Sequence, residues 1–224
     1  VAAIIIEPIL GEGGYTPAPD LFLTGLRGLC DEHGILLIFD EVQSGMGRSG
    51  DWFASQRYGI TPDILTVAKG IASGFPLSAV VAPHALMDKW PTWAHGTTFG
   101  GSPVSCAAAI GTIEIIRDEN LLQRCRELGE KVMERLRAMQ VRHPVIVDVR
   151  GMGLMIGVEL AEGDGKPASK TCDRLLKECL KRGLIIINCG PERNIVRFIP
   201  PLTISDAEMD EALDIFEQAL GTVS

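Results

Sequence analysis

The sequence predicts an α/β fold, a mostly parallel sheet followed by a smaller α+β unit, from three observations. Short apolar runs at residues 2–6, 35–39, 63–68 and 77–82 have strand length. Helical patterns or long crossovers separate these runs, and each opens onto a glycine-rich loop, the pattern of a parallel sheet with its site along one edge. Beyond about residue 118 the texture changes to a charged amphipathic helix and shorter strands.

Residues 2–6 are wholly apolar and read as an interior strand of a parallel sheet. Because the chain opens on Val1 rather than Met and enters that strand at once, we expect a fragment whose upstream sequence supplies the strand's neighbours. Gly11, Gly13 and Gly14 make a loop, and Pro19-Asp20 opens a helix of about 14 residues with Leu21, Leu23, Leu26 and Leu29 at helical spacing. The strand at 35–39 runs into Asp40-Glu41. Residues 43–51, with Gly45, Gly47 and Gly50, are too rich in glycine for regular structure. Strand 63–68, a loop at 70–76 and strand 77–82 follow. A third Gly/Thr/Ser loop at 96–103 then leads into a small-residue helix near 103–117.

In the second unit, Leu121, Leu122, Cys125, Leu128, Val132 and Leu136 line one helix face, closed by His143-Pro144. Strands are expected near 145–150, 153–160, 184–188 and 194–199, a helix near 168–182, and a last helix from an N-cap at Ser205 to about 220. The junction is placed near residue 118, giving domains 1–118 and 119–224.

A length of 224 residues with 46% apolar content can bury a full core. A net charge of −8 and the lack of a basic run argue against a nucleic-acid surface. No apolar stretch reaches the length of a membrane span, and no secretion signal opens the chain. The six cysteines form no CxxC pair, which reads as reduced thiols of a cytoplasmic protein, and the four histidines show no ligand spacing, so no metal is expected.

Asp40 and Lys69 carry the chemistry. The first ends one apolar strand and the second lies just past another, where open α/β sheets bind ligands. An acid partner and an amine anchor suit pyridoxal phosphate. A strand ending in Asp-Glu also suits a P-loop ATPase, but the nearest candidate loop, Gly163-Asp164-Gly165-Lys166-Pro167, has proline where Ser or Thr must hold the metal. No GxGxxG follows a strand, so a dinucleotide fold fares no better. Taken singly, Asp40 reads as a turn residue, Lys69 as a solvated lysine and Val42 as core.

The strings EPILGEGG, LCDEHGILLIFDEVQSGMGRSG, PDILTVAKGIASGFPLSAVV, HGTTFGGSP, DVRGMGLMIGVEL and VRFIPPLT together resemble the class III aminotransferases, fold type I pyridoxal-phosphate enzymes acting on ω-amino groups, and within them the 4-aminobutyrate branch. The resemblance spans nearly the whole chain. It implies part of a fold type I large domain followed by the carboxyl-terminal small domain. Lys69 then matches the lysine that binds the cofactor as a Schiff base and later moves a proton. Asp40 matches the carboxylate facing the pyridine nitrogen, Gln43 the partner of the phenolic oxygen, and Val42 the apolar residue on the ring face. Thr98 matches a residue that reaches the cofactor phosphate of a neighbouring subunit, which implies a homodimer with shared sites. Apart from the resemblance, Thr97 and Thr98 read as residues at a helix start, with capping or anion binding open. Ser102 stands where the family commonly carries asparagine.

Arg197 lies in an apolar strand and needs an anionic partner. By resemblance it grips the α-carboxylate of glutamate or 2-oxoglutarate, and Glu12 pairs with it when the substrate, such as 4-aminobutyrate, lacks that group. A purely structural pair would look the same in sequence. Arg48 and Arg150 read as ordinary loop and strand-end charges, and Glu41 has no assigned role. The implied activity is transfer of an amino group from an ω-amino acid to 2-oxoglutarate. Acetylornithine or ornithine aminotransferase, a related aminomutase, racemase or decarboxylase, and a catalytically silent fragment are the alternatives.

Overall fold

The computed structural model describes residues 1–223. In chain order the elements begin with β1 (Ala3–Ile6), β2 (Ile9–Leu10), β3 (Thr16–Pro17), α1 (Asp20–His33), β4 (Leu36–Asp40), α2 (Ala54–Tyr58), β5 (Ile64–Val67), β6 (Ala79–Val81), α3 (His84–Met87) and α4 (Pro103–Asp118). They continue with α5 (Leu121–Arg142), β7 (Ile146–Met152), β8 (Met155–Leu160), α6 (Ser169–Lys181), β9 (Ile187–Cys189), β10 (Ile195–Phe198) and α7 (Asp206–Val223). Two compact units form, one from Val1–Pro8 with Ala18–Leu122, the other from Ile9–Pro17 with the chain from Gln123 onward.

The first unit holds a four-stranded sheet in the order β1-β4-β5-β6. Strands β1, β4 and β5 are parallel, with Ile4 opposite Leu37, Ile6 opposite Phe39 and Asp40 opposite Thr66. Strand β6 runs antiparallel to β5. The reason is connection length: residues 68–78 hold only a 3-10 turn and a bend, too little for the crossover that a parallel neighbour requires. Helix α1 supplies that crossover between β1 and β4. It buries Leu23 and Cys30 against Leu37 and Phe39 and stops at Gly34, whose φ of 64° lets the chain turn left-handed. Asp63 fixes the entry to β4, accepting the Leu37 N–H at 2.7 Å and Arg27 Nη1 at 2.9 Å. Although burial opposes the charge, these donors hold the Asp63 carboxyl below its usual range.

The second unit is an antiparallel sheet in the order β7-β8-β10-β9. Its core draws Leu128, Val132 and Leu136 from α5, Ile156 and Val158 from β8, Leu175 from α6, and Leu213 and Phe216 from α7. Phe198 meets Phe216 edge-on at 5.0 Å. The expected cap of α7 is present: Ser205 Oγ accepts the Glu208 N–H, and Glu208 accepts the Ser205 N–H. The strand expected at 184–188 is displaced to Ile187–Cys189, since the Leu184 N–H is spent on the Cys179 carbonyl at the end of α6, at 3.0 Å, while Leu184 and Ile186 pack against the core.

The hairpin β2–β3 belongs to this second unit although its flanks belong to the first. Its neck is closed within the first unit. Ala18 N–H bonds to the Pro8 carbonyl at 3.0 Å, and Tyr58 Oη reaches the carbonyls of Pro8 at 3.3 Å and Ala18 at 3.1 Å.

Candidate active site

In the first unit the sheet brings Asp40 and Lys69 to one edge, at the carboxyl ends of adjacent parallel strands. Asp40 is the last residue of β4. Its Oδ1 accepts the Val42 N–H at 3.0 Å and Thr66 Oγ1 at 3.2 Å, which fixes the carboxylate. Its Oδ2 accepts no bond among the described residues. Lys69 opens the 3-10 turn Lys69–Ala72 that follows β5, and its exposed amine makes no ion pair among the described residues. The backbone there is left-handed, φ 45°, a conformation that costs a residue with a side chain roughly 1–2 kcal/mol.

The loop after Asp40 is held by Glu41, which is fully buried. Its carboxylate accepts the backbone N–H groups of Ala54 at 2.6 Å and Ser55 at 2.7 Å, the first amides of α2, and Ser44 Oγ at 2.9 Å. Its own N–H donates to Thr66 and its carbonyl accepts from Gly45, each at 3.0 Å. A Cβ on Gly45 would sit 2.7 Å from that carbonyl and 3.1 Å from the Phe53 ring, so the turn closes only on glycine. Val42 and Gln43 are thereby held half-buried beside Asp40. Met46, left-handed and buried, packs against the backbone at Gly70 and links the Asp40 loop to the Lys69 turn.

Thr98 lies in the exposed stretch that precedes α4. Helix α4 begins at Pro103 with Ser102 as N-cap, and no side chain caps it. Thr97 and Thr98 precede it in an exposed stretch, so neither hydroxyl caps the helix. Proline at the first helical position, which has no N–H to satisfy, removes part of the need for a cap.

In the second unit Arg197 sits on β10 opposite Gly157 of β8 and Ile187 of β9. Its side chain is only 14% exposed and its Nη1 pairs with the Glu12 carboxylate, which is 70% exposed. The guanidinium carbon stands 5.9 Å from the centre of the buried Tyr15 ring. Burial opposes the charge, but Glu12, with Tyr15 and Cys189 beside it, holds Arg197 above its ordinary value. Arg197 Nε is buried with no hydrogen-bond partner, an open donor on the fork.

Three residues prominent here were not singled out from sequence. Glu41 is the anchor of the Asp40 loop, and Thr66 orients Asp40. Arg150 is no ordinary strand-end charge: it is 17% exposed, with Nη1 2.6 Å from both Asp148 and Glu159 and Nε 3.0 Å from the Gly14 carbonyl. Its signal was an arginine inside a strand pattern, the same cue that drew attention to Arg197. No group of three or more His, Cys, Asp or Glu among the described residues can hold a metal. The six cysteines are unpaired, and burial pushes the Cys172 thiol up to about 12. No described helix is long and apolar enough to cross a membrane.

Comparison with known proteins gives a consistent result. The family model for Aminotransferase class-III matches residues 1–220. The chain is 46% identical over 220 residues to the 4-aminobutyrate aminotransferase GabT of Escherichia coli, covering 97% of this chain and 52% of that protein. It is 44% identical over 225 residues to the 5-aminovalerate aminotransferase DavT of Pseudomonas putida, covering 100% and 53%. Among solved structures, an amine transaminase of an uncultivated Pseudomonas species, in its PLP-bound form, matches with a TM-score of 0.93 at 34% identity, covering 100% of this chain and 53% of that one. The chain thus spans about half the length of the relatives it matches. With a family model covering nearly every residue and close backbone agreement with solved transaminases, the chain belongs to the class-III aminotransferase family and has its fold type I architecture.

Proposed function

We propose that the whole protein is a pyridoxal-phosphate-dependent transaminase that takes the amino group of an ω-amino acid, 4-aminobutyrate first among them, and passes it to 2-oxoglutarate. The observation that carries this reading is the placement of a fixed carboxylate and an uncommitted amine at the ends of β4 and β5. The donor set fits the cofactor. Asp40 spends only Oδ1 on the protein, which leaves Oδ2 for a protonated ring nitrogen. Lys69 supplies the anchoring amine, Gln43 a group for the phenolic oxygen, Val42 an apolar face, and Thr98 a hydroxyl for the phosphate of a neighbouring subunit in a homodimer. Bound there, the cofactor serves as an electron sink for a carbanion. Asp40 would hold its carboxylate against one ring position, and the Lys69 amine would hold and move the proton that the transfer requires.

The Glu12–Arg197 pair supports the choice of substrates. A donor without an α-carboxylate leaves Glu12 on Arg197, so the buried guanidinium stays neutralised. A substrate with an α-carboxylate takes the place of Glu12, and the vacant Nε gives it a second donor. Glu12 is exposed enough to swing into water, while Arg197 stays fixed on its strand. A donor panel on the full-length protein tests the reading. Turnover of 4-aminobutyrate and 5-aminovalerate with 2-oxoglutarate is expected, with acetylornithine much slower. Preference for acetylornithine would move the protein to the branch represented by the acetylornithine aminotransferase of Clostridium acetobutylicum, to which the chain is 42% identical.

A further inference from the structure

We infer that Arg150 is a positioning residue for substrate choice, clamping the loop that presents Glu12 to Arg197; this rests on the dual-substrate reading above. Glu12 lies on the segment Gly11–Tyr15, which contains no regular structure of its own. Hydrogen bonds from the second unit hold it on two sides. On one side the Gly190 N–H donates to the Glu12 carbonyl at 2.8 Å. On the other, Arg150 Nε donates to the Gly14 carbonyl at 3.0 Å and to Thr16 Oγ1 at 3.2 Å. Gly14 must be glycine for this approach: its φ is 135°, and a Cβ would stand 3.2 Å from Arg150 Nη2 and 2.9 Å from Ile195 Cδ1. Arg150 is itself held by Asp148 and Glu159, so the clamp is rigid at its base.

This arrangement separates two tasks. Arg197 must remain neutralised when the donor carries no α-carboxylate, and that needs Glu12 to return to one place. A substrate that brings its own α-carboxylate does not need Glu12 at all. Loosening the Gly14 carbonyl therefore penalises the first class of substrate and spares the second. Lysine in place of Arg150 keeps the positive charge beside Asp148 and Glu159 but loses the Nε donor that reaches the loop.

The test measures the two half-reactions separately in full-length, cofactor-loaded Arg150→Lys, with 4-aminobutyrate and with glutamate, beside the melting temperature and the cofactor's visible band. The ratio of kcat/KM for 4-aminobutyrate to that for glutamate should fall about tenfold, the scale of one lost charge-assisted hydrogen bond, with the visible band unchanged. Thr16→Val, which removes only one acceptor of the clamp, should shift the ratio the same way by a smaller factor and guards against a folding defect in the lysine variant. An unchanged ratio, or equal loss of both half-reactions in both variants, overturns the inference while the functional reading stands. Wild-type protein lacking both half-reactions overturns the two together.

Discussion

Single residues divide into those whose placement is visible in sequence and those visible only through their partners. The positions of Asp40 and Lys69 were legible because each follows an apolar run, and the structure puts both at the carboxyl ends of neighbouring parallel strands. Glu41 was not legible, because nothing in a Phe-Asp-Glu-Val string tells which carboxylate turns inward. The structure buries Glu41 completely and surrounds it with three donors, while its neighbour faces the edge. Replacing Glu41 with alanine strands the amides of Ala54 and Ser55 and the Ser44 hydroxyl. It should cost about 3 kcal/mol of stability, the scale of losing charge-assisted bonds in a buried place. Glutamine, which can still accept one or two of those bonds, should recover part of the loss. Denaturant unfolding of the two variants checks this, and equal stability of alanine variant and wild type would refute the anchoring role.

At the scale of elements, the five long helices were read with small boundary errors because their apolar spacing is regular, whereas the short α2 and α3 went unread because one turn carries no periodicity. Helix α1 covers the expected 14 residues and stops at a left-handed glycine. The direction of β6 was not readable, since an apolar run carries no mark of polarity and only the length of the preceding turn decides it. The migration of the β2–β3 hairpin into the second unit was equally hidden. Its sequence shows a glycine loop, and the bonds that claim it come from Arg150 and Gly190, more than a hundred positions away. Tyr58 holds the neck of that excursion, donating to carbonyls on both sides of it. Burial, helped by the charge of Asp20, pushes its hydroxyl from an ordinary value of 10.0 up to about 12. Because the folded state raises this value, the stabilisation is complete below the unfolded pKa and is lost as pH rises from about 10 toward 12. Tyr58→Phe should lower stability by about 1 kcal/mol at neutral pH and flatten that alkaline decline. Melting temperatures of both proteins across this range provide the check, and an undiminished decline in the phenylalanine variant would count against Tyr58 as its source.

For the molecule as a whole, the order of strands, helices and loops was enough to name an α/β unit followed by an α+β unit, because crossover length and sheet direction are coupled. What the order could not convey is how the candidate residues divide between the two units. The first holds Asp40 and Lys69 at its strand ends, and the second holds Arg197 paired with Glu12. The chain covers 53% of the length of its aminovalerate-processing relative, so the activity is a property to be measured on the longer protein. The proposed role of Lys69 is that of covalent anchor and proton carrier in a pyridoxal-phosphate transaminase. Its most direct test is Lys69→Ala in the full-length, cofactor-loaded protein, following the visible absorbance and the turnover of 4-aminobutyrate with 2-oxoglutarate. The wild type should show both and the variant should lose both while remaining folded; a variant that keeps the visible band and its turnover would contradict the account.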